Sequence, residues 1–86
     1  SLGEKITIEL KEINEVFIEQ LKKSDRIINI EIENNIVHIS YNTKEDNLSR
    51  LIDYVRENNV SYTSLFSERP TLNDVFLELT GKELRD

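Results

Sequence analysis

The sequence predicts an α+β domain whose elements follow the order β-α-β-β-α-β, with one further helix at the C-terminal end. The first observation behind this prediction is a pair of alternating apolar and polar runs in INIEIENNIVHISY, a pattern typical of a β-hairpin. The second is the helical spacing of apolar residues in two segments that separate predicted strands. The order of the first six elements matches the ferredoxin-like motif, in which two helices cover one face of a small antiparallel sheet.

The first strand and the first helix are predicted by the spacing of their apolar residues, which changes from every second residue to helical spacing. KITIEL alternates apolar and polar residues with the period of two that half-buried strands show. Asn14 then has the residue type of a helix N-cap, and Ile13 with Ile18 has the spacing of a hydrophobic staple around it. We expect Ile13, Phe17 and Leu21 to lie on one face of this helix.

The hairpin has a turn and an apolar pattern that agree on one register. Asn34-Asn35 is a two-residue sequence that tolerates the positive φ angles of a type I′ turn. With this turn, apolar residues pair across the strands on one face, namely Ile32 with Val37, Ile30 with Ile39, and Ile28 with Tyr41. On the opposite face His38 lies across from Glu31, and we expect an exposed charge pair there.

A second helix and a fourth strand are predicted after the hairpin. Thr43 and Asp46 have the spacing of a capping box, with Asp in place of the usual Glu or Gln. The apolar residues that follow at helical spacing are Leu48, Leu51, Ile52 and Val55. Asn58-Asn59 is predicted to end this helix in a left-handed conformation, and VSYTSLF then has the β-rich composition of a strand.

The closing segment PTLNDVFLELTGKELRD has the signals of a complete helix. Pro70 interrupts the preceding strand, Thr71 is the predicted N-cap, and Gly81 is predicted to stop the helix. Helical spacing places four apolar residues of this segment in one stripe, which are Leu72, Val75, Phe76 and Leu79. We interpret this stripe as the contact between the helix and its own domain.

Leu77 lies off this stripe, and Leu84 shares its direction if the helix continues past Gly81. Two interpretations of Leu77 remain open. Single exposed leucines are common on protein surfaces and need no explanation. In the other interpretation, Leu77 and Leu84 form a ridge that docks on a partner protein.

Length and composition indicate one soluble domain over residues 1–86. The chain is 37% hydrophobic and 33% charged, as folded chains are, although its short length leaves a small margin of stability. Its net charge of −6 argues against binding nucleic acid or anionic lipid, since both need clustered Lys and Arg. Because the sequence contains no methionine, we expect a domain excised from a longer chain, with Ser1-Leu2 consistent with a cloning remnant.

The sequence predicts no catalytic, cofactor-binding or metal-binding residues. His38 is the only histidine and there is no cysteine, so histidine-based triads and thiolate metal sites have no basis. The acidic residues are scattered over predicted helix surfaces and outer strand faces, without the buried proximity that acid–base catalysis needs. The predicted open face of the sheet also lacks the stacking aromatic residues of ferredoxin-like RNA binders.

The closing segment resembles the ending of ATP-binding subunits of ABC-2-type exporters, the drug and polysaccharide export class. Chains of that class often end in Pro-Ser/Thr-Leu-Glu-Asp-Val-Phe-Leu followed by Leu-Thr-Gly, and this sequence differs at Asn73, where an acidic residue is usual. The preceding residues resemble the accessory domain of that class in element order and spacing. We therefore predict partner docking by the motif and its extension, which comprise Pro70, Thr71, Leu72, Asp74, Val75, Phe76, Leu77 and Leu84.

The resemblance implies a non-catalytic interaction or regulatory domain that contributes to assembly of the ATPase dimer or of the permease complex. The implied partners are its own ATP-binding domain and the ABC permease subunit, and a homodimer is left open. ATP and Mg²⁺ would be cofactors of the parent chain only, since these residues contain no Walker A, signature or Walker B motif. The implied location is cytoplasmic and peripheral at the inner face of the cell membrane, without insertion.

An alternative from another class is a small-molecule-sensing ferredoxin-like regulatory domain fused to an enzyme. Such sensors bind ligands at strand–loop junctions between paired domains and generally need Gly-rich turns there. The only glycines are Gly3 and Gly81, both near the ends of the chain, which favours the first interpretation.

Overall fold

The computed structural model describes residues 3–81. These residues form four strands and three helices, in the order β1 (Glu4–Leu10), α1 (Glu15–Lys22), β2 (Ile27–Glu33), β3 (Ile36–Tyr41), α2 (Asn47–Glu57), β4 (Tyr62–Glu68) and α3 (Leu72–Thr80). The strands form one antiparallel sheet in the order β2-β3-β1-β4. The predicted α+β, ferredoxin-like fold with an additional C-terminal helix is confirmed.

The core lies between the sheet and the two helices α1 and α2. The alternation in β1 places Ile6, Ile8 and Leu10 on the inner face, where all three are fully buried. The Phe17 ring of α1 meets the Tyr54 ring of α2, with centroids 5.6 Å apart and planes at 30°, so the two helices pack against each other as well. The cluster formed in this way contains every buried apolar side chain of the described residues.

The start of α1 is as predicted, but its buried face is not. The Oδ1 of Asn14 accepts a hydrogen bond from the backbone N–H of Phe17 at 3.0 Å, which satisfies one free donor of the first turn. The buried residues of α1 are Phe17, Ile18 and Leu21, whereas Ile13 is exposed ahead of the helix. The prediction that Ile13 belongs to the buried face was wrong, because that face continues through Ile18 instead.

The hairpin has the predicted turn position and part of the predicted register. Two residues connect the strands, and only Asn34 has a positive φ, of 56°, so the turn is not type I′. Two predicted pairs are present, Ile32 with Val37 and Ile30 with Ile39, but the third is wrong because a bulge places Ile27 opposite Tyr41. The extra residue, Ile28, is directed toward α3 and is partly exposed.

The start of α2 differs from the prediction. Asp46 adopts a left-handed conformation with φ 57° and its side chain makes no capping hydrogen bond, so the predicted capping box of Thr43 and Asp46 is wrong. Instead, the Thr43 Oγ1 accepts from the backbone N–H of Glu45. Buried Asn47 begins the helix, and its Nδ2 donates to the Thr43 carbonyl at 2.6 Å. At the other end, Asn59 has the predicted left-handed conformation, with φ 54°.

The third helix lies on the face of the sheet opposite to α1 and α2. Its side chains meet residues of the outer face, such as Lys5 of β1, Asn29 of β2 and Ser40 of β3. This face is polar, as the strand alternation predicts. The contacts made by α3 are therefore unlike those made by α1 and α2.

Candidate functional site

The third helix begins with a reciprocal capping box. The Thr71 backbone N–H donates to the Oδ2 of Asp74 at 2.7 Å, and the Asp74 backbone N–H donates to the Oγ1 of Thr71 at 3.1 Å. Each side chain thus satisfies a backbone donor of the other residue. Gly81 ends the helix with φ 74°, and its N–H donates to the Leu77 carbonyl. Both ends of α3 are where the sequence predicts them.

Asp74 also attaches α3 to the sheet. The Nζ of Lys5, on the outer face of β1, lies 3.1 Å from the Oδ1 of Asp74, and both side chains are largely buried. Burial alone disfavours the ionised carboxylate, but hydrogen bonds from Thr71 and Lys5 outweigh it and hold the pKa of Asp74 below its ordinary value. The carboxylate therefore serves two purposes, as helix cap and as ion-pair partner of the sheet.

A polar chain extends from this ion pair across the outer face. The Nζ of Lys5 is 4.0 Å from the Oε1 of Glu68, and that same oxygen accepts from the Thr7 hydroxyl at 3.1 Å. Since the Thr7 proton is used there, its oxygen accepts from the Nδ1 of His38 at 2.8 Å. His38 lies opposite Glu31 as predicted. However, His38 is half-buried and bonds to Thr7, while Glu31 accepts from Asn29, so the predicted exposed charge pair between them was wrong.

The rotation of α3 is opposite to the one predicted. Asp74 and Leu77 point toward the sheet and line a cavity of about 370 Å³ between α3 and the outer face. Leu72, Val75 and Leu79 point away from the sheet and are 76%, 40% and 78% exposed. Phe76, between these two groups, is half-buried. The interpretation of the apolar stripe as a contact with its own domain was wrong, because the polar outer face binds Asp74 instead.

We call Leu72, Val75 and Leu79 the outward face of α3. These three residues recur at helical spacing, so they form one continuous apolar surface. Phe66, on the outer side of β4, is a further large apolar residue that is about half exposed. The site prediction omitted Leu79 and Phe66. The strand alternation in β4 could have placed Phe66 on the outer face, since it pairs with Thr7.

Comparison with protein families gives a match over residues 2–80 to the model described as ATP-binding protein DrrA1-3-like, C-terminal domain. The chain belongs to this family. The resemblance seen in the closing segment is thereby confirmed for nearly the whole chain. Among curated proteins and solved structures, no significant match to this chain was found.

The predicted docking residues of this DrrA1-3-like C-terminal domain are divided between two sides of α3. Leu72 and Val75 lie on the outward face, whereas Asp74 and Leu77 lie toward the sheet. Thr71 and Asp74 form the helix cap, and half-buried Pro70 precedes it. Leu84 lies outside the described residues. The ridge predicted from Leu77 thus does not form part of the outward face, and a docking function of the other motif residues stays a prediction.

Within residues 3–81, no helix combines the length and apolar character needed to cross a membrane. In the same residues, no three His, Cys, Asp or Glu side chains come together as ligands for a metal ion.

Proposed function

We propose that this domain is a non-catalytic interaction domain of an ABC-type ATP-binding protein, and that the outward face of α3 joins two copies of that protein. The observation that supports this is the exposure of Leu72 and Leu79, both more than 75% exposed on a helix whose inward side is held by an ion pair. A helix normally turns its apolar stripe toward its own core. In this domain the stripe of Leu72, Val75 and Leu79 is exposed and can bind the surface of another protein.

The free energy gained by burying the outward face of α3 supports its contact with a partner protein. Burying one leucine side chain stabilises an assembly by about 1.5–3 kcal/mol. Three apolar residues at helical spacing form a contiguous patch, and such patches mark interaction sites more often than scattered single residues do. The inward side of α3 gains comparatively little from apolar contacts, since it faces Lys5, Asn29 and Ser40.

The charge of α3 favours a second copy as the partner. Between Leu72 and Thr80 the acidic residues are Asp74, which is paired with Lys5, and exposed Glu78, which lines the cavity between α3 and the sheet. The outward face itself contains no charge, so two copies can meet there without close like-charge contacts, despite the net charge of −6. A two-fold axis would bring the same face of each copy together.

The catalytic part of the parent protein is proposed to lie outside these residues. The sequence contains no glycine-rich phosphate loop, and its two glycines cannot form one. The domain would act on the cytoplasmic side of the membrane by assembling the ATP-binding protein, with ATP and Mg²⁺ bound elsewhere in the parent chain.

Isothermal titration calorimetry with Mg·ATP should detect no saturable binding to the 86-residue chain. A saturable isotherm would contradict this part of the proposal.

Cysteine cross-linking tests the dimer contact directly, because the chain contains no native cysteine. We expect at least one of Leu72→Cys, Val75→Cys and Leu79→Cys to form a cross-linked dimer with a short bismaleimide. The matched control is Arg56→Cys, an exposed position on α2 across the sheet from α3. If none of the three exceeds the control, the two-copy contact is wrong. Repeating the experiment with the permease present distinguishes a permease contact from a second copy.

A further inference from the structure

A cleft on the opposite side of the sheet from α3 has the composition of a small-ligand site. It has a volume of about 220 Å³ and lies between α1, α2 and the start of β2. Leu21, Ile27 and Leu51 provide apolar contacts, and the Tyr54 ring forms part of the wall. Ligand sites in proteins combine such an apolar lining with a few polar groups.

The polar groups of the cleft are cationic or neutral. Arg26 and Arg50 both line it, and no Asp or Glu of the described residues does, although the chain has 17 acidic residues and a net charge of −6. The Nη2 of Arg26 donates to the Oδ1 of Asn47 at 2.7 Å and to the Glu45 carbonyl, which fixes this guanidinium in place. Arg50 is exposed, and its guanidinium makes no hydrogen bond or ion pair with another described residue.

Tyr41 adds a polar group whose hydroxyl has no hydrogen-bond partner among residues 3–81. Its side chain is 5% exposed and lines the cleft, and among the described residues its hydroxyl makes no hydrogen bond. Among the described residues, every side-chain nitrogen or oxygen that is fully buried has a hydrogen-bond partner. Because the Tyr41 hydroxyl has none, it is not fully buried, and it is accessible from the cleft that Tyr41 lines. A buried tyrosine normally finds a hydrogen-bond partner, and here a ligand can supply it.

We propose that this cleft binds a small organic carboxylate with a single ring. The ring would contact Leu21, Leu51 and Tyr54, and the carboxylate would bind Arg50 with help from the Tyr41 hydroxyl. Arginine binds carboxylates through two parallel hydrogen bonds, which gives both orientation and strength. A cavity of about 150 Å³ holds benzene, so 220 Å³ accommodates one ring with a carboxylate, and it is smaller than the usual range for larger ligands.

An NMR titration of the 86-residue chain with benzoate tests this proposal, with benzyl alcohol as the neutral probe that keeps the ring. We expect saturable amide shifts around Leu21, Ser24 and Leu51 with benzoate, and binding at least tenfold weaker with benzyl alcohol. Arg50→Gln should weaken benzoate binding about tenfold or more, since a charge-assisted hydrogen bond is lost. Arg56→Gln, the same change on an exposed residue of the same helix outside the cleft, should leave affinity unchanged.

Two controls keep the result specific to the cleft. Tyr41→Phe should weaken benzoate binding several-fold while the amide spectrum stays dispersed, which separates lost recognition from lost folding. Inorganic phosphate should not saturate the same shifts at the concentration at which benzoate does. The proposal is overturned if benzoate shifts do not saturate, if benzyl alcohol or phosphate binds as well as benzoate, or if both arginine variants behave alike.

Discussion

Asn47 connects three parts of the fold through one buried side chain. Its Oδ1 accepts from the Nη2 of Arg26 at 2.7 Å, while its Nδ2 donates to the Oε1 of Glu4 at 2.8 Å and to the Thr43 carbonyl. These bonds link β1, the segment before β2 and the loop that precedes α2. A buried group that loses its partner retains the desolvation cost, so such a network is sensitive to substitution of its central residue.

Asn47→Ala should lower the free energy of unfolding by about 1–3 kcal/mol, because it takes a hydrogen-bond partner from three half-buried groups, on Glu4, Arg26 and Thr43. Urea denaturation followed by circular dichroism measures this loss. The matched control is Asn58→Ala, since the Asn58 Nδ2 donates only to the exposed Tyr54 carbonyl at the end of α2. The control should change stability by about 0.5 kcal/mol or less. Equal losses in the two variants would show that the Asn47 network does not stabilise the fold.

The raised pKa of Tyr41 predicts that the free energy of unfolding falls at alkaline pH. Burial, and to a lesser extent the charge of Glu4, raises the pKa of Tyr41 from 10.0 to about 12, although Arg26 acts in the opposite direction. Between pH 10 and 12 the unfolded chain therefore loses this proton while the folded chain keeps it, so the contribution of Tyr41 is complete below pH 10 and is lost as pH rises.

The stability difference between wild type and Tyr41→Phe should therefore shift by about 2 kcal/mol in favour of the variant from pH 9 to pH 12. Urea denaturation at several pH values measures this difference, in which the titration of all other groups largely cancels. A difference that stays constant over this range would show that Tyr41 ionises equally well in the folded and unfolded chains.

At the scale of elements, α3 is attached differently from α1 and α2. Asp74 is the buried residue of α3, whereas α1 and α2 each bury several side chains in the core. A helix with few buried apolar contacts opens at a lower free energy than the core does. We therefore expect α3 to detach from the sheet without unfolding the rest of the domain.

Asp74→Asn should speed amide hydrogen exchange in α3 by at least tenfold and leave exchange in β1 and β3 nearly unchanged, because it removes the ion pair with Lys5. The pKa of Asp74 lies below its ordinary value of 3.8, so its contribution is present above that pH and is lost as pH falls below it. Wild-type α3 should thus lose protection in acid, and the variant should show no such step. Asp53→Asn, the same change at an exposed site on α2, is the control.

Two segments with the same spacing show what the sequence can predict about elements. Thr71 and Asp74 form a capping box, whereas Thr43 and Asp46 do not, although both are Thr-x-x-Asp. The difference is Asn47, whose side chain bonds to the Thr43 carbonyl, to Glu4 and to Arg26, and so begins α2 later. Local patterns predicted that both helices exist, but distant contacts decided where one of them starts.

The rotation of α3 could not be predicted for a similar reason. Helical spacing identifies which residues share a face, but it does not say which face meets the sheet. That choice depends on the pairing of Lys5 with Asp74, which are 69 residues apart in the chain. The bulge at Ile28 could not be predicted either, since the alternation of apolar residues in β2 fits a regular hairpin equally well. The element order, the two central strands β1 and β3 and the position of the hairpin turn depended on local patterns and were predicted, whereas the type of the turn was not.

At the scale of the whole molecule, the sheet separates two surfaces with different proposed roles. On one side, α1 and α2 cover the core and form the cleft with Arg26 and Arg50. On the other side, α3 lies over a polar face and presents its own apolar face to solvent. Changes at the cleft should leave the outward face of α3 intact, and the reverse, because the sheet lies between them. Assembly and ligand binding can therefore be tested separately.

We propose that the outward face of α3 contributes to assembly and not to the core. Sedimentation velocity of wild type and of the double variant Leu72→Gln/Leu79→Gln, with urea denaturation of both, tests it most directly, since Gln keeps the helix propensity of Leu. We predict a wild-type dimer that the variant converts to a monomer, with unfolding free energies of the monomers equal within about 0.5 kcal/mol. A variant that sediments like wild type, or that loses several kcal/mol of stability, would show that the outward face of α3 does not have this role.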